Sequence, residues 1–160
     1  MTTPPRILVV DDDESVLQTF GKALALEGYD VRVAASPLDG LHEAELTPPD
    51  VILLDLRMPF VNGIGFLYRL RAQPSHRDTP VAVITGDSGI DDSALTELRA
   101  LGAELLFKPI WLDEVLDLTR NMLAKHNPEM AAFGLEHDGS TTVGRPQLPV
   151  RAARPHPSAP

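Results

Sequence analysis

Carboxylates at the ends of two apolar runs are the side chains in this sequence best suited to chemistry. Asp11, Asp12 and Asp13 directly follow one run, and Asp55 follows another, residues 51–54. Both runs have the length of buried parallel strands, and open parallel sheets gather the carboxyl ends of their strands around one crevice. Carboxylates brought together there repel one another unless a hard cation joins them, and such oxygen ligands suit Mg²⁺. These residues predict a Mg²⁺ site that handles phosphate.

Two later apolar runs also end in polar side chains. Residues 81–84 lead into Thr85, and residues 104–107 lead into Lys108, one of three lysines in the chain. Successive strands are therefore predicted to end in Asp-Asp, Asp, Thr and Lys. All four ends should meet at one edge of the sheet.

The elements that must position these groups alternate between strand and helix patterns five times. After the first strand, apolar residues recur at helical spacing, and Gly28 is placed to stop that helix. The residues expected to face the core are Val16, Leu17, Phe20, Ala23, Leu24 and Leu26. Alternation of this kind predicts right-handed βαβ crossovers and an α/β fold whose parallel sheet is covered on both faces.

Local signals fix several helix ends. Asp13 or Glu14 should cap the first helix, and Ser36 followed by proline should open the second. The acidic stretch 91–93 should cap the fourth helix, with Gly102 closing it. Residues 73–80 are predicted to be a loop. The five histidines show no ligand spacing and are expected on the surface: His42, His76, His126, His137 and His156.

The order and chemistry of the strand ends resemble the receiver domain of bacterial two-component response regulators. The resemblance lies in residues 7–13, 55–59 with Gly63, 84–86 and 107–109, which occur in that order about one strand-helix-strand unit apart. It covers roughly residues 5–125. It implies a flavodoxin-like (βα)5 three-layer fold with strand order 2-1-3-4-5.

The resemblance also implies a phosphoryl-accepting site that uses Mg²⁺. Asp55 matches the phosphoacceptor, a carboxylate nucleophile that becomes an aspartyl phosphate. Asp12 would be a direct Mg²⁺ ligand, Asp11 would help through bound water, and Asp55 and the backbone carbonyl of Arg57 would complete the protein ligands. Mg²⁺ usually keeps several waters, so few protein ligands suffice.

Thr85 and Lys108 are implied to contact the oxygens of the phosphoryl group through a hydroxyl and an ammonium. Receiver domains commonly pair the Thr with an aromatic switch residue three positions before the Lys, and here that position holds Leu105. Phe107, by strand alternation, should point away from the face of Lys108. The departure puts the usual aromatic switch in doubt, though not phosphorylation.

Arg57 and Asp87 are candidates for controlling how long the phosphoryl group survives. Arg57 lies two residues after Asp55, and Asp87 lies two residues after Thr85. Both side chains should border the mouth of the site through which water enters. Either they pair there, or each is solvated on its own loop.

The implied partners are proteins. A sensor histidine kinase or a phosphotransfer protein would donate the phosphoryl group, and a downstream protein would bind the surface of the fourth helix, fifth strand and fifth helix. The chain would be a phosphoacceptor switch that catalyses only its own phosphorylation and dephosphorylation. A net charge of −9 and a pI near 4.9 argue against direct nucleic-acid binding.

No run approaches the roughly 20 apolar residues of a membrane span, and the chain has no cysteines. These features predict a soluble, cytoplasmic protein without membrane insertion. Residues 126–160 contain six prolines and are expected to be disordered. Arg145, Arg151 and Arg154 follow the last acid, Asp138, so this tail is either simply solvated or a docking arm for an acidic partner.

Two other functions are compatible with part of this pattern. A haloacid-dehalogenase-like phosphatase would use the acids at 11–13 as its Asp-x-Asp motif, with Thr85 and Lys108 in the right order. That alternative leaves Asp55 unexplained, and its expected downstream acidic pair would be Asp113-Glu114, on a helix. The chain could also be the receiver fragment of a larger transcriptional regulator.

Overall fold

The computed structural model describes residues 3–56, 58, 62–86 and 90–129. Within these residues, five strands alternate with five helices. The strands are β1 (Arg6–Val10), β2 (Asp30–Ala34), β3 (Val51–Leu54), β4 (Val81–Thr85) and β5 (Ala103–Phe107). The helices are α1 (Glu14–Leu26), α2 (Pro37–Leu46), α3 (Gly63–Ala72), α4 (Asp92–Ala100) and α5 (Leu112–His126), with a 3-10 turn at Pro74–His76.

The strands form one parallel sheet in the order β2-β1-β3-β4-β5. This flavodoxin-like order confirms the topology implied by the resemblance. Val10 at the end of β1 is in register with Ala34 on one side and Leu54 on the other. The carboxyl ends of the three strands are therefore level, and the residues that follow them start from one edge.

Two apolar layers hold the sheet between the helices. Ile7 and Val9 face the layer that α1 and α5 cover, whereas Leu8 and Val10 face the layer that α2, α3 and α4 cover. The division follows from strand geometry, because successive side chains point to opposite faces. A central strand apolar on both faces is typical of a parallel sheet covered on both sides.

The helices begin and end where short-range chemistry predicts. The Asp13 carboxylate accepts the Ser15 N–H at 2.9 Å, which makes Asp13 the N-cap of α1. The Asp91 carboxylate caps α4 in the same way through the Ala94 N–H at 2.7 Å. Gly28 and Gly102, which follow α1 and α4, have positive φ angles of 94° and 75°, a conformation that glycine adopts without steric cost.

The prediction that Leu26 belongs to the core is wrong. Its side chain is 86% exposed, whereas that of Leu24 is fully buried. Residues two positions apart on a helix lie about 200° apart around its axis, so a leucine two positions after a buried one points outward. Leu26 is also the last residue of α1, where no further turn brings the helix face back to the sheet.

The prediction that His76 lies on the surface is also wrong. The side chain is buried, and its Nδ1 lies 3.1 Å from the Thr79 hydroxyl. Arg71 of α3 holds this connection in place by donating to the carbonyls of Leu101, His76 and Thr79 at 2.9, 2.9 and 2.6 Å. The predicted 73–80 loop is therefore an ordered turn, since one guanidinium satisfies three backbone carbonyls.

The two leucines near the end of α1 provide a matched test of the core. We expect Leu24→Ala to lower the free energy of unfolding by about 2–5 kcal/mol, because it leaves a cavity in the α1–α5 layer. Leu26→Ala should change it by less than about 0.5 kcal/mol. Urea unfolding monitored by circular dichroism gives both values. Similar losses for the two variants would contradict the placement of Leu26.

None of the helices in the described residues is long and apolar enough to span a membrane.

Candidate metal and phosphoryl site

The register of β1 and β3 brings Asp11 and Asp55 to the same edge of the sheet. The Asp55 N–H donates to the Val10 carbonyl at 2.9 Å, and the Asp11 N–H donates to the Ala34 carbonyl at 3.1 Å. Asp11, Asp12 and Asp55 each offer a carboxylate oxygen, and these oxygens lie within 4.8 Å of one another. Sequence-distant carboxylates thus form one cluster, as their positions at strand ends predict.

The three carboxylates differ in their environments. Asp11 is buried, Asp55 is partly buried and Asp12 is exposed. Burial raises the pKa of Asp11, while the N–H of Asp13, which donates to its Oδ1 at 2.9 Å, and the ammonium of Lys108 oppose that rise. Asp13 itself caps α1, so the third acid of the run is a structural residue, in agreement with its predicted role.

Lys108 reaches the same cluster from β5, although β3 and β4 lie between β5 and β1. Its Nζ lies 3.5 Å from Asp11 Oδ2, and its side chain is only 9% exposed. The Lys108 N–H donates to the Thr85 carbonyl at 2.7 Å, which ties the end of β5 to the end of β4. Thr85 is buried at the same edge. The edge thus combines carboxylates, a hydroxyl-bearing residue and an ammonium, as the strand order predicts.

Gly63 allows α3 to begin against the segment that follows Asp55. Its N–H donates to the Leu56 carbonyl at 2.8 Å, and a Cβ at this position would lie 2.9 Å from the Leu56 Cα and 3.0 Å from the Asp55 carbonyl oxygen. Any side chain would collide with backbone there. The neighbouring Asn62 caps α3 by accepting the Gly65 N–H at 2.9 Å. Glycine is thus required for the close approach beside Asp55.

The donor set fits a hard divalent cation. Asp11, Asp12 and Asp55 supply three anionic oxygens, and the exposure of Asp12 leaves the cluster open to water. Mg²⁺ commonly binds through one or two carboxylates and retains several waters, so this cluster would accommodate it. Bringing three carboxylates so close without a cation costs electrostatic energy, which the ammonium of Lys108 offsets in part.

Leu105 lies in β5, partly buried against the apolar layer shared by the sheet, α3 and α4. Phe107, two residues further on, is exposed, whereas the Lys108 side chain is mostly buried and extends toward Asp11. These positions agree with the predicted alternation of side chains at the end of β5.

Arg57 and Asp87 lie outside the described residues, and so do residues 130–160 of the expected tail. His126, where that tail was expected to start, is the last residue of α5. The control of phosphoryl lifetime by Arg57 and Asp87 therefore stays a prediction.

Sequence reasoning missed the way α5 begins. Its N-cap is Trp111, whose N–H donates to the Glu114 carboxylate at 2.8 Å, while the Glu114 N–H donates to the Trp111 carbonyl at 3.0 Å. The apolar spacing of the sequence places the start of α5 near Leu112, as observed, and the acid three positions after Trp111 is the signal that could have revealed this cap. The cap leaves the indole of Trp111 on the surface, 46% exposed, three residues from Lys108.

Comparison with known proteins agrees with this fold and site. The family model of the response regulator receiver domain matches residues 7–120. The chain therefore belongs to the response regulator receiver domain family.

Named relatives come from several bacteria. The transcriptional regulatory protein PrrA of Mycobacterium tuberculosis is 36% identical over 154 residues, 95% of this chain and 63% of the relative. The regulatory protein AtoC of Escherichia coli is 35% identical over 72% of this chain, which is 24% of that protein. The chain thus spans less than two thirds of the length of these relatives.

Solved structures share the architecture. Chemotaxis protein CheY4 of Vibrio cholerae aligns with a TM-score of 0.70 and 30% identity, covering 76% of this chain and 100% of that one. A CheY-like receiver domain protein from Methanospirillum hungatei aligns with a TM-score of 0.73 and 25% identity, covering 79% of this chain and 99% of that one.

Proposed function

We propose that this chain is a two-component response regulator that accepts a phosphoryl group on Asp55 and changes its protein contacts as a result. The observation that carries the proposal is the cluster of Asp11, Asp12 and Asp55 with the ammonium of Lys108 at the same edge. Family membership supports it, because a receiver domain is a phosphoacceptor switch.

The donor in this proposal is a phosphohistidine of a sensor kinase or a phosphotransfer protein. A carboxylate oxygen of Asp55 forms a bond to phosphorus as the bond between phosphorus and the donor nitrogen breaks, and the electron pair leaves with the imidazole. Such transfers pass through a loose transition state, so the site mainly positions groups and stabilises charge. Its product is an aspartyl phosphate at position 55.

The surrounding residues supply the charge stabilisation. Asp11, Asp12, Asp55 and the Arg57 carbonyl would hold Mg²⁺, which when bound neutralises negative charge on phosphoryl oxygens. Lys108 would exchange its contact with Asp11 for a phosphoryl oxygen, and Thr85 would donate its hydroxyl to another. Preorganised groups of this kind act strongly because they need not reorient during the reaction.

The output in this proposal is a change in the surface of α4, β5 and α5. Movement of Thr85 and Lys108 toward phospho-Asp55 would shift the loops after β4 and β5, and Leu105 would repack in place of the usual aromatic residue. A local charge change would thereby bias a two-state element. A target protein would bind that surface, and we propose the cytoplasm as the location.

The proposed receiver unit comprises residues 5–125, followed by the tail. The relative PrrA, which is named as a transcriptional regulatory protein, is longer than this chain, so a role in transcription through a further segment is a second possibility for the output. The phosphatase alternative is disfavoured, because it gives Asp55 no role although Asp55 shares the cluster with Asp11 and Asp12.

Acetyl phosphate labelling tests the proposed acceptor. With Mg²⁺, the intact protein should gain one hydroxylamine-labile phosphoryl group by mass spectrometry, and Asp55→Asn should gain none. Removing Mg²⁺ with a chelator should also prevent labelling of the wild-type chain. The phosphatase alternative instead expects Asp55→Asn to retain its nucleophile and its label.

Asp78→Asn is the matched control. Asp78 is exposed in the turn before β4, away from the carboxyl edge of the sheet, and the substitution removes the same charge. This variant should label like the wild type. Full labelling of Asp55→Asn, or loss of labelling in Asp78→Asn as well, would contradict the assignment of Asp55.

A further inference from the structure

Two large aromatic side chains remain exposed beside the proposed phosphoryl site. Phe107 is 51% exposed and Trp111 is 46% exposed, and they lie on either side of Lys108 and Pro109 along the chain. The hydrogen bonds that cap α5 at Trp111 use its backbone, so the indole takes no part in them. Aromatic side chains are enriched at protein interfaces, so these two exposed rings are candidates for a contact surface.

Acidic residues follow these rings on the first turns of α5. Asp113, Glu114 and Asp117 are all exposed, and Lys108 is turned inward toward Asp11. Glu114 also accepts the Trp111 N–H, and Asp117 pairs with Arg120 at 3.5 Å, so one cation stands against three acids here. The outer surface of this stretch is therefore aromatic and negatively charged. We call Phe107, Trp111, Asp113, Glu114 and Asp117 the aromatic-acidic surface.

The same chain contains a segment of complementary chemistry. Residues 145–155 contain Arg145, Arg151 and Arg154 and no acid, and Pro146 and Pro149 are spaced as in a Pro-x-x-Pro motif. Proline-rich segments of this kind dock on exposed aromatic rings, since their extended conformation costs little entropy to fix. Arginine next to the prolines can stack on indole and pair with carboxylates.

We propose that residues 145–155 dock in cis on the aromatic-acidic surface of the same chain. The tail would thereby cover the end of β5 and the start of α5, beside Lys108, and would have to leave before another protein could bind there. The docking itself needs no phosphoryl group, so it does not depend on the proposed function. It is an intramolecular competitor built into the chain.

Chain length favours the intramolecular contact. The 15 residues of α5 place its end about 22 Å from Trp111. About 20 residues separate His126 from Pro146, and a random-coil chain of that length has an end-to-end distance of roughly 22–27 Å. A linker whose length matches the span gives an effective concentration in the millimolar range, so even a weak contact would form.

Quenching of Trp111 fluorescence by acrylamide tests the docking in the full chain, because Trp111 is its single tryptophan. The test variant carries Arg145→Ala, Arg151→Ala and Arg154→Ala. A contact of millimolar affinity at a millimolar effective concentration is about half formed, so the quenching constant should rise about twofold in this variant. High salt should raise quenching of the wild type to the same level.

A control variant removes three arginines from the folded part: Arg32→Ala, Arg69→Ala and Arg77→Ala. These side chains are exposed, and their loss changes the net charge by the same amount. It should leave Trp111 quenching at the wild-type value. An increase in this control equal to that in the tail variant would assign the effect to net charge and overturn the proposal.

Two further measurements test whether the tail of the same chain, rather than that of a second copy, occupies the surface. Asp113→Asn with Asp117→Asn should raise quenching, and adding the tail substitutions should raise it little further, because both remove one contact. Quenching should also stay constant over about a tenfold dilution. Equal quenching in wild type and tail variant would refute docking. Protection that disappears on dilution would refute docking in cis and assign the tail to a second copy.

Discussion

Lys108→Ala should slow phosphorylation of Asp55 by acetyl phosphate on the order of 10²-fold, because it removes a preorganised cation from the transferring group. The Lys108 side chain is 9% exposed and its Nζ lies 3.5 Å from Asp11, so the charge is already at the site before a phosphoryl group arrives. Stopped-flow fluorescence of Trp111 or timed mass spectrometry gives the rate.

Measuring the Mg²⁺ affinity of Lys108→Ala distinguishes loss of a catalytic cation from general damage to the metal site. Lys108 competes with a cation for Asp11, so Lys108→Ala should bind Mg²⁺ at least as tightly as the wild type while reacting more slowly. Lys125→Ala is the matched control, since Lys125 is 70% exposed and pairs with Glu104 at 3.6 Å, away from the carboxylate cluster. Its rate should stay within about twofold. A wild-type rate in Lys108→Ala would exclude Lys108 from the reaction.

Asp12→Asn should weaken Mg²⁺ binding by at least about a hundredfold. Loss of a residue that only supports a metal ligand commonly weakens binding by about 10- to 100-fold, and Asp12 is proposed to be a direct ligand. Asp12 is the exposed member of the cluster, so the substitution should leave the fold intact. Without Mg²⁺ the variant should unfold at the same temperature or higher, because one of three repelling charges is gone. Calorimetric titration and thermal unfolding measure the two effects.

Asp13→Asn is the control for that experiment. Asp13 is adjacent in sequence but uses its carboxylate to cap α1, and asparagine caps a helix about as well as aspartate. Mg²⁺ affinity should therefore change by less than about threefold, the scale expected for an exposed neighbouring charge. Equal losses in Asp12→Asn and Asp13→Asn would mean that the cluster attracts Mg²⁺ through its general field rather than through specific ligands.

The features predicted from the sequence are those encoded locally or by the parallel sheet. The sequence predicts that strand-end residues such as Asp11 and Asp55 lie close together, because parallel strands share their carboxyl edge. The structure places their carboxylate oxygens in one cluster. Caps such as Asp13 and Asp91 depend on contacts two or three residues away, so the sequence contains the whole signal.

The features missed depend on contacts between distant residues. Arg71 reads as an exposed helical arginine, yet it binds the Leu101 carbonyl, 30 residues away, and orders the turn that buries His76. The contact of Arg71 with Leu101 forms only when the helices pack on the sheet, so no local periodicity contains it. Leu26 is a different case, because its position two residues after the buried Leu24 already turns it away from the core, and the apolar pattern was extended too far.

Locating the modified residue tests the central claim most directly. Sodium borohydride reduces an aspartyl phosphate to homoserine, so the protein labelled with acetyl phosphate and Mg²⁺ can be reduced, digested and sequenced by tandem mass spectrometry. The account predicts homoserine at position 55 and aspartate at positions 11 and 12. Homoserine at position 11 or 12, with position 55 unchanged, would contradict it.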